Sequence, residues 1–279
     1  MRVLCDKPRM KMIDTLLETT GGIVKATAFL LLVALLIPFA LLYRRTVPDQ
    51  PFKIPLLFHR ILLKILGIRL RIIGAPSTAT PVLFVANHVS YLDIPVLGAV
   101  LPAAFVAKSE VASWPLFGFL SKVQNTVFIE RRSTRAAAQR TQLQEHLAKR
   151  QSLILFPEGT SSDGMNALPF KSSLFSIVEE SAHDIAITIQ PVSITCTKLD
   201  GYPLLREQRP LYAWYGDMTL PPHLWNVFKN GRFTVDIIFH PPLTAAEAPN
   251  RKALAATCQS LIARGIEQSL SGRTGSAQT

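Results

Sequence analysis

Charge is scarce in this 279-residue chain: 18% of its residues are Asp, Glu, Lys or Arg, against 48% hydrophobic. That balance is apolar for a water-soluble enzyme and points to a membrane. Acidic residues are the scarcer sign, 19 against 30 Lys and Arg, leaving a formal net charge of +11. The basic excess is not gathered into a block interleaved with aromatics. No nucleic-acid partner is therefore expected, and an anionic lipid surface is. Cysteine is nearly absent. Cys5, Cys196 and Cys258 are odd in number and far apart, without CxxC or Cys/His ligand spacing. Neither a disulfide framework nor a zinc site is supported, no metal is expected, and a reducing, cytoplasmic compartment fits. A GxSxG elbow is missing too, so nothing suggests a serine acyl-enzyme, and a lipid hydrolase lacks its activated nucleophile or metal.

What the chain does have is apolar length. After a mixed, mildly basic segment 1–22, Ala26 to Tyr43 runs without a charge between Lys25 and Arg44-Arg45. As a helix it is about 27 Å long, just short of a ~30 Å hydrocarbon core. It reads as a membrane anchor, with a kink expected at Pro38. Phe52 to Ile73 carries His59, Arg60, Lys64, Arg69 and Arg71 among Leu and Ile. Two readings stand for it: a helix in the head-group plane, or an amphipathic core helix. Basic residues flank the anchor on both sides, so charge asymmetry gives no orientation. A re-entrant or monotopic hairpin over 23–74, with both ends cytoplasmic, resolves this.

From residue 75 to 270 the pattern is that of an α/β domain: a central, mostly parallel sheet flanked by helices, preceded by the N-terminal membrane-anchoring helical hairpin. Apolar, β-leaning runs fall at 81–86, 103–107, 123–129, 152–156, 185–195 and 233–239. Helical stretches fall at 134–149, with Ser133 or Thr134 as cap, at 170–182 and at 248–270. Residues 271–279 read as a disordered tail.

The polar cluster Asn87-His88-Val89-Ser90-Tyr91-Leu92-Asp93 leaves the end of the first run. If the chain enters a helix after His88, Asp93 can reach the imidazole across five positions. A carboxylate on one ring nitrogen fixes the tautomer and leaves the other free to take a proton, which makes a general base with its orienting partner. A purely structural His–Asp pair is the alternative. Further polar blocks end later strands: Lys108-Ser109-Glu110 leading to Trp114-Pro115-Leu116-Phe117-Gly118, Phe128-Ile129-Glu130-Arg131, Phe156-Pro157-Glu158-Gly159-Thr160-Ser161, and Gln190-Pro191-Val192. Gly159 and Gly164 free the backbone for tight turns or close ligand approach.

Taken together these blocks resemble the glycerolipid acyltransferase family related to bacterial 1-acyl-glycerol-3-phosphate acyltransferases, including those acting on lyso-ornithine lipid. NHxSxxD, FIxR, FPEGT and the Pro-Val strand end occur in order at Asn87–Asp93, Phe128–Arg131, Phe156–Thr160 and Pro191–Val192. The resemblance covers about residues 25–240. It implies that 75–270 is a catalytic domain in which His88 takes the proton from a lysolipid hydroxyl attacking an acyl thioester, with Asp93 holding the ring. It implies Arg131 on the anionic head group, Glu158, Gly159, Thr160 and Ser161 shaping the same pocket, and Lys108 adding charge to it. Plainer readings remain open: a surface Lys108, and an Arg131 that braces a turn against Glu130 or Glu158.

The resemblance also implies acyl-carrier protein or coenzyme A thioesters as co-substrate, no bound cofactor, and a bacterial inner membrane with the catalytic domain facing the cytoplasm. One departure stands out. Members acting on glycerol phosphate commonly follow Glu-Gly-Thr with Arg, whereas here Ser161 is followed by Ser162-Asp163-Gly164. Either Lys171 supplies the missing charge, or the head group is less anionic. The acceptor expected first is 1-acyl-sn-glycerol-3-phosphate, giving phosphatidic acid, with lyso-ornithine lipid second; a non-catalytic lipid-binding membrane protein is the reading from another class. His223 is a candidate for lining a lipid groove, whereas His59 and His240 carry no functional signal.

Overall fold

In the computed structural model the described residues are 7–47, 51–129, 143, 145–176, 178 and 186–274, with side chains described from residue 15. The chain opens with helices α1 (Lys7–Thr46) and α2 (Lys53–Leu66). There follow β1 (Arg69–Ile73), β2 (Val82–Ala86), α3 (Asp93–Gly98), β3 (Ala104–Lys108), α4 (Phe117–Val123), β4 (Val127–Ile129) and β5 (Leu153–Leu155). The second half contributes β6 (Thr188–Leu199), β7 (Tyr202–Pro203), α5 (Leu220–Lys229), β8 (Phe233–Phe239), β9 (Leu243–Thr244) and α6 (Arg251–Leu270).

The strands form one sheet in the order β1-β8-β6-β2-β5-β3-β4, with β7 and β9 attached to β6. Pairing along this path is parallel except between β6 and β8. Strand β2 lies centrally and every residue in it is buried. Its side chains alternate as the pleat requires. Val82, Phe84 and Ala86 join the core that also takes residues of α1, α2, α3 and α5, while Leu83 and Val85 join the core covered by α6. The α/β layering expected from the alternation of runs is therefore present, and it aims the carboxyl end of β2 at a cleft.

The differences from expectation have physical reasons. Segment 52–73 is not one helix: α2 stops at Leu66, and Arg69–Ile73 pairs in parallel with β8. The joined sheet thus begins ahead of residue 75. Helix α2 buries His59, Leu62, Leu63 and Leu66 against the domain, as an amphipathic core helix does. Residues 117–123 are helical, which shortens the strand expected over 123–129. Pro191 and Val192 lie inside β6 rather than at its end. Pro191 is tolerated because β8 pairs β6 only from Val192 onward and β9 only at Thr188 and Ile189, leaving no ladder donor required there. Of the helix expected over 134–149, residues 143 and 145–148 are helical, Lys149 lies in the turn that follows, and the rest lies outside the described residues. Of 170–182, Ser172–Phe175 forms a 3₁₀ turn, and most of the stretch after Phe175 lies outside them as well.

Helix α1 is continuous across both the mixed segment and the apolar run. By length and composition Thr15–Thr46 suffices to cross a membrane, and little of it is buried. It packs along the domain by a narrow stripe. Phe29 meets Phe228 of α5 with ring centroids 6.0 Å apart. The Lys25 ammonium donates to the carbonyl of Asn230 at 2.9 Å, just past the end of α5, the favoured place for a cation. At the other end Arg44 donates to Asn125 Oδ1 at 3.0 Å. Leu30, Leu31, Leu35, Phe39 and Leu42 are left exposed, an apolar face that water does not suit.

Candidate active site

Strand β2 ends where Asn87 substitutes its side chain for backbone. Asn87 Nδ2 donates to the carbonyl of Ile194 at 2.9 Å, and the Ile194 N–H donates to Asn87 Oδ1 at 2.8 Å. This reciprocal pair continues the ladder toward β6 by one step while the main chain turns away, and so places His88 at the sheet's carboxyl edge.

His88 Nδ1 donates to Asp93 Oδ2 at 2.9 Å. The carboxylate oxygen can only accept, so Nδ1 carries the proton of this bond and Nε2 is left clear of Asp93. The approach is not helical as expected: α3 begins at Asp93, and a tight turn closes the gap, with the Asp93 N–H on the carbonyl of Ser90 at 3.0 Å. Asp93 is fully buried. Its Oδ2 also accepts from the N–H groups of Val89 at 2.6 Å and Ser90 at 3.0 Å, and Oδ1 accepts from the Tyr212 hydroxyl at 3.2 Å. Four donors offset the cost of burying this carboxylate and lock its orientation. The ring of His88 stacks on Phe156, centroids 4.3 Å apart, and its side chain retains 21% exposure. A fixed, partly open imidazole of this kind can accept a proton from a hydroxyl placed over Nε2.

The turn after β5 wraps the same point. Gly159 and Gly164 both take positive φ, 67° and 73°, where a side chain is strained. Glu158 is turned inward, 2% exposed, with Oε1 accepting from the Leu168 N–H at 3.3 Å. Burial foremost pushes its pKa up to about 8. Through Oε1 it ties the turn to Leu168. Ser161 is engaged as well, its hydroxyl donating to the carbonyl of Trp214. The Ser162 N–H donates to the His88 carbonyl at 2.9 Å, so this loop buttresses the imidazole from behind. Thr160 is exposed, as is Lys108 at the end of β3. The Lys171 N–H returns to the carbonyl of Pro157 at 3.0 Å, which brings Lys171 to the same turn. Arg131 lies outside the described residues.

Three contributions come from a stretch that sequence patterning passes over. Tyr212 holds Asp93, Trp214 donates its N–H to the carbonyl of Val89 at 3.0 Å, and the same Trp214 takes the Ser161 hydroxyl. His223 pairs with the chain beside the His88 turn: its Nδ1 meets the Tyr91 hydroxyl at 2.9 Å.

An apolar cavity of ≈ 160 Å³ lies between α1, α2, α3, α4 and α5, reaching Tyr91 and Leu92 at one side. Deeper in its wall His59 Nε2 and Gln124 Oε1 are 3.0 Å apart. Burial pulls the His59 pKa down to about 4, which keeps the ring uncharged among aliphatic neighbours. A Cβ on Gly98 would stand 2.4 Å from this ring, so only glycine admits it. Among the described residues no group of three His, Cys, Asp or Glu side chains is placed to hold a metal.

Comparison with known proteins gives these features a family. Residues 69–195 match the acyltransferase family. The chain is 37% identical over 242 residues to the lyso-ornithine lipid O-acyltransferase of Brucella abortus, covering 85% of this chain and 91% of that one. It is 37% identical over 185 residues to the 1-acyl-sn-glycerol-3-phosphate acyltransferase of Neisseria gonorrhoeae, covering 65% and 69%. The crystal structure of the 1-acyl-sn-glycerophosphate acyltransferase PlsC from Thermotoga maritima superposes with a TM-score of 0.63 at 22% identity, over 92% of this chain and 96% of that one, and so shares the fold. With His88 and Asp93 joined at the end of a central strand and a relative matched over nearly its whole length, the chain belongs to the acyltransferase family.

Proposed function

We propose that this acyltransferase esterifies the free hydroxyl of lyso-ornithine lipid, with an acyl-carrier-protein or coenzyme A thioester as donor. The observation that carries the choice of acceptor is the loop Ser161–Gly164. Where the phosphate-type pattern has an arginine, Ser161 spends its hydroxyl on the Trp214 carbonyl, and Asp163 follows. A pocket with a serine and a carboxylate there suits a zwitterion better than a phosphate monoester, which carries about −1.5 to −2 at neutral pH. The longer match to the Brucella lyso-ornithine enzyme supports the same order of preference. This reverses the order drawn from sequence, in which 1-acyl-sn-glycerol-3-phosphate came first.

In the proposed step His88 Nε2 takes the acceptor hydroxyl's proton as its oxygen attacks the thioester carbonyl. The tetrahedral adduct collapses, the carbon–sulfur bond breaks, and the departing thiolate takes the proton back from the imidazolium. Asp93 holds the ring and balances its transient charge. The apolar cavity beside Tyr91 receives an acyl chain, with the His59–Gln124 pair in its wall. Helix α1 keeps the enzyme at the membrane that holds its acceptor. Free, buried Cys196 and Cys258 and the basic surface fit a site on the cytoplasmic face of a bacterial inner membrane.

The second reading, transfer to 1-acyl-sn-glycerol-3-phosphate, is favoured by Lys171, a basic residue whose backbone N–H ties it to the Pro157 carbonyl of that turn. Acyl transfer by the full chain reconstituted in vesicles, with acyl-carrier-protein thioester and each acceptor in turn, decides between them. Ornithine lipid as the main product is the expected result. Phosphatidic acid alone would select the second reading, and neither product would overturn both.

A further inference from the structure

Arg209 is the least expected side chain near the site. It lies in the 3₁₀ turn Arg206–Leu211, whose other charged residues, Arg206 and Glu207, are exposed to solvent. Arg209 points inward and is 6% exposed. Taking a guanidinium out of water is costly unless acceptors replace the solvent. Yet its Nε finds no acceptor, and among the described residues the guanidinium closes no ion pair.

Its surroundings belong to the catalytic centre. The Arg209 carbonyl accepts from the N–H groups of Tyr212 at 3.0 Å and Ala213 at 2.8 Å. One of these residues holds Asp93 by its hydroxyl, and the following Trp214 is fastened to Val89 and Ser161. The main chain at Arg209 is thus tied, through Tyr212 and Trp214, to the His88 turn and to the Ser161 loop. Burial lowers its pKa, whereas Cys196 and the nearby carboxylate of Asp163 act in the opposite sense. Asp163 reaches it through its field, while Asp163 Oδ1 accepts from the Met165 N–H at 2.9 Å.

We propose that Arg209 is the anchor for the α-carboxylate of the acceptor head group, and that Asp163 favours the head group's ammonium beside it. The proposal rests on the lyso-ornithine reading given above. A guanidinium presents a planar fork that matches a carboxylate with two parallel hydrogen bonds. An N-acylated ornithine carries one carboxylate and one side-chain ammonium, net zero, and so matches an arginine with an aspartate nearby. A phosphate dianion meets the same aspartate as a repulsive neighbour. The guanidinium missing after Glu-Gly-Thr is in this account replaced from a different segment, 48 positions after Ser161 in the chain.

The test uses reconstituted full-length protein and two acceptors, lyso-ornithine lipid and its α-carboxyl methyl ester. The wild type should prefer the free acid by on the order of 10–100-fold in kcat/KM, the worth of a charge-assisted pair in a buried site. Arg209→Gln should collapse that ratio toward unity by raising KM for the acid while ester turnover holds. Arg209→Lys, with charge but no fork, should fall between. Wild-type enzyme that treats acid and ester alike overturns the inference without any variant, which covers the case of an unstable Arg209→Gln. Equal losses on acid and ester in Arg209→Gln overturn it too, because they describe a structural brace. Wild type that transfers nothing to either ornithine acceptor, yet acylates lysophosphatidic acid, removes the acceptor reading and this inference together; transfer without discrimination removes this one alone.

Discussion

Two carboxylates in this protein, Asp93 and Asp236, are both fully buried, and each meets a basic side chain. Asp236 lies on β8 opposite Arg71 of the neighbouring parallel strand β1. Arg71 Nε donates to Oδ1 at 2.8 Å, Nη2 donates to Oδ2, and the Thr197 hydroxyl adds a third donor at 3.3 Å. Asp93 is as thoroughly bonded, but its partner is an imidazole. A guanidinium keeps its protons at any pH the protein meets, so Arg71–Asp236 can brace a sheet edge and do nothing else. An imidazole trades a proton near neutrality, and His88 still has one nitrogen free on its open side. Burial and pairing are common to both; in the proposed mechanism the exchangeable proton and the partial exposure of His88 separate chemistry from architecture.

Breaking each pair should therefore have different consequences. The largest effect is expected from Asp93→Asn, which keeps shape but removes the charge that holds the ring. Acyl transfer should fall about 10²–10⁴-fold in kcat with the fold retained by circular dichroism. Asp236→Ala should act on the other axis. With Arg71 left unpartnered, stability should fall by about 2–4 kcal/mol in a denaturant titration, toward the low end because Arg71 is 33% exposed. The kcat per folded molecule should not change. Lost activity at full stability in that variant would erase the distinction between the two pairs.

Glu158 sharpens the contrast as a third buried carboxyl, one that meets no cation among the described residues. Its raised pKa means that the folded protein keeps a proton which the unfolded chain releases above about 4.5. Stability should then fall as pH rises from about 4.5 through about 8 and level beyond, by on the order of 5 kcal/mol. Glu158→Gln should flatten this slope when wild type and variant are melted at matched pH values. The smallest effect is expected on the apolar side: Ala40→Leu adds bulk to the cavity wall and should shift acyl-donor preference toward shorter chains, read from competing thioesters of two lengths.

Much of the chemical pair was readable because it is local. Asn87, His88 and Asp93 fall within seven positions, at the end of an apolar run whose burial on both faces leaves few alternatives to a central strand. The architectural pair was not readable. Arg71 and Asp236 are 165 positions apart, and the alternation of Arg69, Leu70, Arg71 and Ile72 was masked by the amphipathic helix running into it. Helix α5 was missed because Pro221 and Pro222 look like breakers, although in a first turn they cost no hydrogen bond. Tyr212 reaches Asp93 across 119 positions from a turn without periodicity, so no window on the chain announces it. The motif marks Glu158 and Ser161 as pocket residues; which way each side chain turns is decided by Leu168 and Trp214, which the motif does not include.

The central claim is that His88 is the base. The direct test is acyl transfer by reconstituted wild type and His88→Ala, each given acyl-carrier-protein thioester and lyso-ornithine lipid, at matched folded concentration and with lipid binding measured in parallel. The account predicts ornithine lipid from the wild type, a loss of about 10²-fold or more in the variant, and unchanged lipid binding. A variant that transfers acyl chains at the wild-type rate would contradict it, leaving His88–Asp93 as a second structural pair beside Arg71–Asp236.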